Sequence, residues 1–307
     1  MLIFSSSDKG GTGRSVTSCN LAYRLSLLGQ DVAYLDFDFG SPTAGAIFEI
    51  PDLERGTKNG GLHSYIRGKA TEPVRADIRG TTERQPLKER PPGSGKLTLF
   101  PGDSGGAEFA LTNAHIKKAT ELFQTVEREF DVCIVDLSAG RSSALDMSVQ
   151  AISPENRPKK SEAVRWLLFH RWTTQHVIAA SGLLLEENGI VSCAVQSGFV
   201  KQEFLRLVRT VRTAVPDASA FGKETTAEQE AWLSRSDDIL KTLAKGRGLG
   251  LDLLASTTPL EPMLLWREQV IMDVDVKRRL ANKATTQAFE ELAKKLIDDE
   301  AWEGFER

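Results

Sequence analysis

SSSDKGGTGRS, residues 5–15, lies between a short apolar run and a helical pattern. The run Leu2–Phe4 predicts a buried strand, and the residues after the segment place leucines three and four positions apart, as one face of a helix does. Its three glycines allow positive φ angles and a close approach of the backbone to a ligand. A strand, a glycine loop and a helix in this order direct several backbone N–H groups toward one point, which is the arrangement that binds phosphate oxygens.

Side chains of the same segment add the groups that a nucleotide and its metal ion require. Lys9 and Arg14 supply positive charge, and the hydroxyl of Ser15 suits Mg²⁺. The helix that begins near Arg14 directs its positive end toward the same anion. We therefore predict a nucleotide-binding loop made of consecutive residues: Lys9, Gly10, Gly11, Thr12, Gly13, Arg14, Ser15 and Val16.

Two acidic residues follow the second predicted strand. Val32–Leu35 form a short apolar run that is typical of a buried parallel strand, and DFDFGSPT follows at residues 36–43. Asp36 and Asp38 are two positions apart, so they lie on the same side of an extended chain. Because ligands of open α/β sheets bind at the carboxyl ends of the strands, we expect both carboxylates to face the ligand.

A later apolar run also ends in an aspartate. Residues 130–140 have the sequence FDVCIVDLSAG, in which Val132–Val135 predict a strand, Asp136 closes it and Gly140 lies in a small loop. The pattern has the same form as the strand that ends at Asp36.

The glycine loop resembles the deviant Walker A signature KGGxGK(S/T) of the ParA/MinD family of P-loop ATPases. Lys9–Ser15 match it with one change, because Arg14 stands where the family has its second lysine. Asp8 takes the place of the first glycine of the ordinary GxxxxGK(S/T) loop. The resemblance implies that Lys9 reaches across a dimer interface to the phosphates of the partner subunit.

The resemblance also implies roles for the acids. Asp36 supports the Mg²⁺ shell, and Asp38 positions the water that attacks the nucleotide. Asp136, as the acid of a Walker B strand, holds a Mg²⁺-bound water. The predicted catalytic residues are thus Lys9 and Asp38, and the predicted metal ligands are Ser15, Asp36 and Asp136.

A base pocket is predicted near the end of the chain. Leu251–Ala255 form an apolar strand that runs into STTPLEP at residues 256–262. This segment resembles the family's last strand and the loop that lines its base pocket, which makes Pro259 and Glu261 candidate nucleotide contacts. The sequence does not choose between ATP and GTP.

Strands and helices alternate over most of the chain. A second strand, helix and strand unit includes Leu97–Phe100 and the strand before Asp136. The alternation predicts the α/β class, with a doubly wound, mostly parallel sheet flanked by helices as in ParA/MinD-like P-loop NTPases. We expect one nucleotide-binding domain over residues 1–307, a polar and weakly ordered surface excursion around 51–95, and a helical region at 170–245.

Composition indicates a compartment and excludes several kinds of site. The net charge is −3, so attraction to a phosphate polymer requires a local basic patch. The three cysteines form no CxxC pair, which excludes zinc ribbons and dithiol motifs and fits a reducing compartment. The longest later apolar run, Val177–Leu185, is shorter than the roughly 20 residues of a membrane span. We therefore expect a cytoplasmic protein without membrane insertion.

A basic stripe is predicted on one helix near the middle of the chain. Surface cations of this kind bind DNA phosphates without regard to sequence, although a solvated helix face has the same pattern. The four residues are Lys201, Arg206, Arg209 and Arg212.

Two functions fit these residues. The first is a switch in which ATP and Mg²⁺ fill the loop, two subunits close as a homodimer with Lys9 crossing over, and the dimer positions or partitions a cargo or recruits a protein partner. The second is a hydrolysis-deficient nucleotide-binding regulatory scaffold. It follows from Arg14, whose planar fork keeps the charge of lysine but changes the geometry for γ-phosphate transfer. The sequence leaves ATP hydrolysis open.

Overall fold

The computed structural model describes residues 1–157, 163–216 and 225–303. Within these ranges the strands form one eight-stranded sheet. They are β1 (Leu2–Ser6), β2 (Val32–Phe37), β3 (Ala76–Asp77), β4 (Leu97–Phe100), β5 (Val132–Leu137), β6 (Val164–Arg171), β7 (Val208–Val215) and β8 (Leu254–Pro259).

The sheet is doubly wound, as predicted. Its order is β3-β4-β2-β5-β1-β6-β7-β8, and every neighbouring pair except β3 and β4 runs parallel. The register places Asp136 of β5 opposite Ser5 of β1 on one side and opposite Asp36 of β2 on the other. The carboxyl ends of these three central strands therefore meet at one edge of the sheet, where such folds bind ligands.

Helices cover both faces of the sheet. They are α1 (Arg14–Leu27), α2 (Ala44–Ile47), α3 (Leu62–Ile66), α4 (Ile78–Thr81), α5 (Gln85–Lys88), α6 (Asn113–Glu129), α7 (Ser143–Ala151), α8 (Thr174–Leu185), α9 (Ile190–Gln196), α10 (Lys201–Leu207), α11 (Ala227–Gly246), α12 (Pro262–Trp266), α13 (Asp273–Lys277), α14 (Lys283–Ile297) and α15 (Asp299–Glu303). Alternation along β1 divides the core into two clusters. Phe4 packs with Phe123 of α6 on one face, whereas Ile3 packs with Leu21 of α1 and Leu292 of α14 on the other.

Residues 51–95 differ from the weakly ordered excursion that was expected. The segment forms α3, β3, α4 and α5, and β3 pairs antiparallel with β4 at the edge of the sheet. Ile78 and Leu87 are fully buried, and the guanidinium of Arg79 donates a hydrogen bond to the hydroxyl of Ser26 in α1. A few apolar anchors and one buried arginine thus attach an otherwise polar segment to the fold.

Two other regions also differ from their predicted form. The region 170–245 contains β7 and the last two residues of β6 in addition to helices, and its residues 217–224 lie outside the described part of the chain. The strand predicted at Leu251–Ala255 starts later, because Leu251–Leu253 form a 3₁₀ turn in which Leu253 donates its N–H to the carbonyl of Gly250.

One helical stretch, Thr174–Gln196, is long and apolar enough to cross a membrane by length and composition. It consists of α8, a short break and α9, and 56% of its most apolar window of 18 residues is buried inside the fold. A core helix passes the same test, so the stretch is weak evidence for a membrane span.

Candidate nucleotide-binding site

The backbone of the glycine loop is open toward solvent between β1 and α1. Gly11 and Gly13 have φ angles of 70° and 76°, which side-chain-bearing residues rarely adopt. A Cβ atom at Gly10 or Gly11 would meet no atom within 4 Å, so a phosphate group has room to approach. The carbonyl of Thr12 accepts a hydrogen bond from the Thr213 hydroxyl, which fastens the loop to β7.

Arg14 turns inward from the start of α1. Its Nε donates to Oδ1 of Asp136 over 2.6 Å, and its Nη2 donates to Oδ2 of Asp38 over 3.0 Å and to Oγ of Ser15 over 3.1 Å. Only 6% of the side chain is exposed. Burial alone lowers the pKa of Arg14, but the carboxylates of Asp136 and Asp38 outweigh it and raise that pKa above the ordinary value. The guanidinium therefore stays charged.

Asp136 is enclosed at the end of β5. Its Oδ1 accepts from Arg14, and its Oδ2 accepts from the Tyr34 hydroxyl over 2.8 Å. The residue is 1% exposed. Both carboxylate oxygens thus have a protein donor, which satisfies a buried charge that would otherwise be costly.

Asp36 faces the loop that follows β2. Its Oδ2 accepts from the backbone N–H groups of Thr43 and Ala44, at 3.1 and 3.0 Å. Burial, and then the charge of Asp136, raise the pKa of Asp36 to about 8. At neutral pH the side chain therefore carries a proton for most of the time, and it organises the turn before α2.

Asp38 stands just beyond β2 at the mouth of the site. Its Oδ2 pairs with Arg14, and its Oδ1 accepts from the N–H of Ser41. Burial raises the pKa of Asp38, and the charge of Arg14 partly offsets the rise. With 19% of its side chain exposed, Asp38 is the more accessible acid of the Arg14 pair.

Lys9 is exposed at the tip of the loop. Within residues 1–157, 163–216 and 225–303, no ion pair holds its ammonium group. The neighbouring Ser7 carbonyl accepts from the N–H of Gly140, which has a φ of 77° and follows β5. The glycine loop and the loop after β5 are therefore directly joined by a hydrogen bond, and the exposed Lys9 follows Ser7 by two residues.

A cleft beside the loop collects the predicted base contacts. Gly11, Gly13 and Val16 line one side of it, and Pro259 and Glu261 line the other. Ser15, next to these residues in the chain, is partly buried, and its Oγ accepts from Nη2 of Arg14.

Glu261 connects α12 to α14 through hydrogen bonds. Its Oε2 accepts from the N–H of Asn282 and from the hydroxyl of Thr285, both at 2.8 Å, and its Oε1 accepts from the N–H of Met263. The carboxylate thus fixes the start of α12 against α14. Glu261 therefore lines the cleft and at the same time holds α12 and α14 together.

Three residues of the site were absent from the sequence-based set. Tyr34 bonds Asp136, Arg171 lines the cleft at the end of β6, and Ser138 links the two acidic loops by accepting from the N–H of Phe39. Arg171 could have been found from its position at a strand's carboxyl end. Tyr34 carries no such signal, because an aromatic residue inside a strand is ordinarily core.

The predicted metal ligands lie at the same edge of the sheet, where Asp36 stands opposite Asp136. Asp36 is directed to backbone N–H groups, whereas Ser15 and Asp136 both contact the guanidinium of Arg14. In the described parts of the chain, no three acidic, histidine or cysteine side chains are placed to hold a metal ion. Mg²⁺ in a nucleotide site keeps several waters and uses substrate phosphates beside one or two protein ligands, and Ser15 and Asp136 are the residues here that would supply those ligands.

The predicted basic stripe is wrong for two of its members. α10 ends at Leu207, so Arg209 and Arg212 belong to β7 and are 3% and 5% exposed. Arg209 lies over the ring of Trp302, and Arg212 lies 3.9 Å from the ring centre of Trp172. Helical spacing does not apply once the chain becomes a strand, so only Lys201 and Arg206 of the four stay on the surface.

Solved structures with a similar fold include cell-division and ParA-type proteins. MinD of Aquifex aeolicus is 17% identical with a TM-score of 0.59, over 96% of each chain. The septum site-determining protein MinD of Pyrococcus horikoshii, complexed with Mg-ADP, is 14% identical with a TM-score of 0.55, over 97% of this chain and 96% of that chain. A ParA family ATPase of Chlorobium tepidum is 13% identical with a TM-score of 0.54, over 96% of this chain and 98% of that chain. At such identities the likeness shows the fold alone.

The family of the chain is shown by a comparison with models of protein families. No curated protein sequence matches the chain. Residues 3–296, nearly the whole chain, match the model described as the CobQ/CobB/MinD/ParA nucleotide binding domain. The chain therefore belongs to the CobQ/CobB/MinD/ParA nucleotide-binding family.

Proposed function

We propose that this protein is a nucleotide-dependent dimerisation switch of the ParA/MinD kind. ATP binds on the glycine loop, two subunits close face to face, and the dimer positions a cargo or recruits a partner protein. The observation that carries the proposal is the open loop of Gly10 and Gly11 with the exposed Lys9 beside it. A cation at the rim of a phosphate site is available to a second subunit, whereas a buried one is not.

The coupling of the loop to its surroundings supports a switch. Gly140 donates to the Ser7 carbonyl, and Ser138 joins the loop after β5 to the loop after β2. If phosphate binding moves the glycine loop, the loops after β2 and β5 therefore move with it. These loops form the surface next to Lys9, so their position can control dimer closure.

Light scattering after size-exclusion chromatography tests dimerisation. The wild-type chain is expected to be monomeric without nucleotide and dimeric with a non-hydrolysable ATP analogue. Lys9→Ala should bind the analogue but stay monomeric. Lys245→Ala is the matched control, because this exposed lysine lies in the last turn of α11 and outside the glycine loop. Dimers of equal abundance with and without nucleotide would rule out the switch.

A hydrolysis-deficient scaffold is the second candidate, and Arg14 favours it. The guanidinium is engaged with Asp38, the residue predicted to position the attacking water. A water-positioning acid in a salt bridge has fewer free lone pairs for that water. Turnover of ATP separates the candidates: the scaffold predicts binding without turnover in the wild type and measurable turnover in Arg14→Lys, and the switch predicts wild-type turnover that Lys9→Ala abolishes.

Location and partners complete the proposal. The cysteines at positions 19, 133 and 193 form no disulfide with one another, which suits the reducing cytoplasm. Contact with DNA through the four basic residues is not included, because Arg209 and Arg212 are buried.

A further inference from the structure

Arg171 ends β6 next to the glycine loop. β6 pairs directly with β1, which leads into that loop, and Arg171 stands opposite Thr213 of β7. The Thr213 hydroxyl donates to the carbonyl of Thr12, so this register brings the end of β6 level with the loop. Arg171 lines the same cleft as Gly11 and Gly13. Its side chain therefore lies in the cleft beside the backbone that is open to a phosphate group.

The guanidinium of Arg171 is not engaged by the protein. Across the described ranges of the chain no hydrogen bond or ion pair holds it, and the residue is half-buried. Arg14 differs, because its one positive charge pairs with the two carboxylates of Asp38 and Asp136, which leaves that cluster negative. A protein cation for a phosphate chain on the loop must therefore come from outside the Arg14 cluster.

Arg171 and Lys9 border the same space at the rim of the loop. The half-buried His176 of α8 reports on both: burial lowers its pKa, and the positive charges of Arg171 and Lys9 lower it further. The two cations differ in position, since Lys9 is exposed at the tip of the loop and Arg171 lies in the cleft. Positive charge is thus concentrated on the loop side of the cleft.

The acids of the cleft lie on its other side. Glu261 and Glu268 follow β8, and β6 and β7 separate that strand from β1 in the sheet. Neither of these two described carboxylates pairs with Arg171, and Glu261 is engaged by its own three donors. An anion that enters the cleft is therefore attracted to the end that holds Arg171 and the glycine loop.

We propose that Arg171 contacts the phosphate chain of the nucleotide in its own subunit, whereas the exposed Lys9 stays available to a second subunit. The inference rests on the proposed nucleotide binding at the glycine loop and names the side chain that meets the phosphate charge there. A guanidinium presents its N–H donors in a planar fork that matches phosphate oxygens. Hydrogen bonds to charged groups contribute more to binding than neutral ones, so the loss of this side chain should be measurable.

Calorimetric titration of the full chain with ATP, in buffer with magnesium chloride, tests the inference. Arg171→Gln should bind ATP at least about tenfold more weakly than the wild type, and Arg171→Lys, which keeps the charge, should lose less. Arg128→Gln, at an exposed arginine of α6, is the control and should stay within about twofold of the wild type. An unchanged affinity in Arg171→Gln would overturn the inference and leave the proposed function intact, whereas absence of ATP binding by the wild type would overturn both.

Two further measurements separate a phosphate contact from other roles of Arg171. Inorganic tripolyphosphate carries the phosphate chain without a base, so Arg171→Gln should weaken its binding by a factor similar to that for ATP. A loss confined to ATP would place Arg171 against the base or the ribose and overturn the inference. The midpoint of urea unfolding should be the same in Arg171→Gln and the wild type, because the guanidinium holds no described group of the protein. A lower midpoint would assign the weaker binding to a damaged fold and contradict the phosphate contact.

Discussion

The Nε atom of Arg14 lies 2.6 Å from Oδ1 of Asp136, and both side chains are almost fully buried. The pair joins the start of α1 to the end of β5, which are 122 positions apart in the chain. Tyr34 holds the other oxygen of Asp136 from β2. The carboxylate of Asp136 thus connects α1, β2 and β5. These contacts fix the position of the glycine loop that precedes α1.

Removal of the guanidinium should destabilise the fold. Arg14→Ala leaves the buried Asp136 without its counter-charge, and breaking a buried pair in this way costs about 3–5 kcal/mol. The free energy of unfolding from urea titration measures the loss. Arg128→Ala, at an exposed arginine of α6, should change it by no more than about 0.5 kcal/mol. Equal effects of the two substitutions would contradict a structural role for the buried pair.

The raised pKa of Asp36 predicts a pH dependence of stability. The folded chain holds a proton on Asp36 up to about pH 8, whereas the unfolded chain releases it at the ordinary value of 3.8. The stabilisation from this residue is therefore complete below pH 3.8 and is lost as the pH rises toward 8.

Asp36→Asn removes that titration. The free energy of unfolding of the wild type, relative to this variant, should fall between pH 4 and pH 8. Asp52→Asn, at an exposed aspartate, serves as the comparison. A constant difference between the wild type and Asp36→Asn over this range would show that Asp36 ionises normally.

A side chain at Gly13 should disturb the phosphate loop through its backbone. The residue has a φ of 76°, where a Cβ atom costs about 1–2 kcal/mol. Gly68→Ala is a matched control, because Gly68 has a φ of 69° and open space around its Cβ position. Both variants should lose similar stability in urea titration, and only Gly13→Ala should weaken ATP binding. Weakened binding in both would point to global destabilisation.

Trp266 offers a spectroscopic report on the cleft. It ends α12, whose Leu264 and Leu265 line the cleft, and its side chain is 91% exposed. Tryptophan emission shifts to the blue when the ring leaves water, so we expect such a shift when nucleotide binding or dimer closure covers this ring.

Substitution of each exposed tryptophan in turn shows which of the two produces the shift in emission. Trp266→Phe should lose the nucleotide-induced shift, and Trp232→Phe, at a residue of α11 that is 58% exposed, should keep it. A shift that persists in Trp266→Phe would place the change elsewhere.

The sequence was sufficient for the fold and for the approximate location of the site. Strand alternation and the apolar runs that end in Asp36 and Asp136 predicted a parallel sheet, and the structure confirms it. The glycines of residues 10–13 predicted the loop between β1 and α1. These signals are local, because a turn or a buried strand constrains its own residues.

Features that depend on distant contacts were not predictable in this way. The Arg14 side chain could point toward the solvent or into the protein. Its inward orientation depends on Asp136, which lies 122 residues later in the chain. Arg209 and Arg212 have helical spacing after Lys201, but pairing of β7 with β6 converts them to strand residues buried against aromatic rings. Tertiary contacts override local pattern at such positions.

The most direct measurement is a crystal structure of the chain with a non-hydrolysable ATP analogue. We expect a triphosphate that lies on the backbone amides of residues 10–15, with the Arg14 guanidinium still between Asp38 and Asp136. A triphosphate bound away from this loop, or a loop without ligand at saturating analogue, would contradict it.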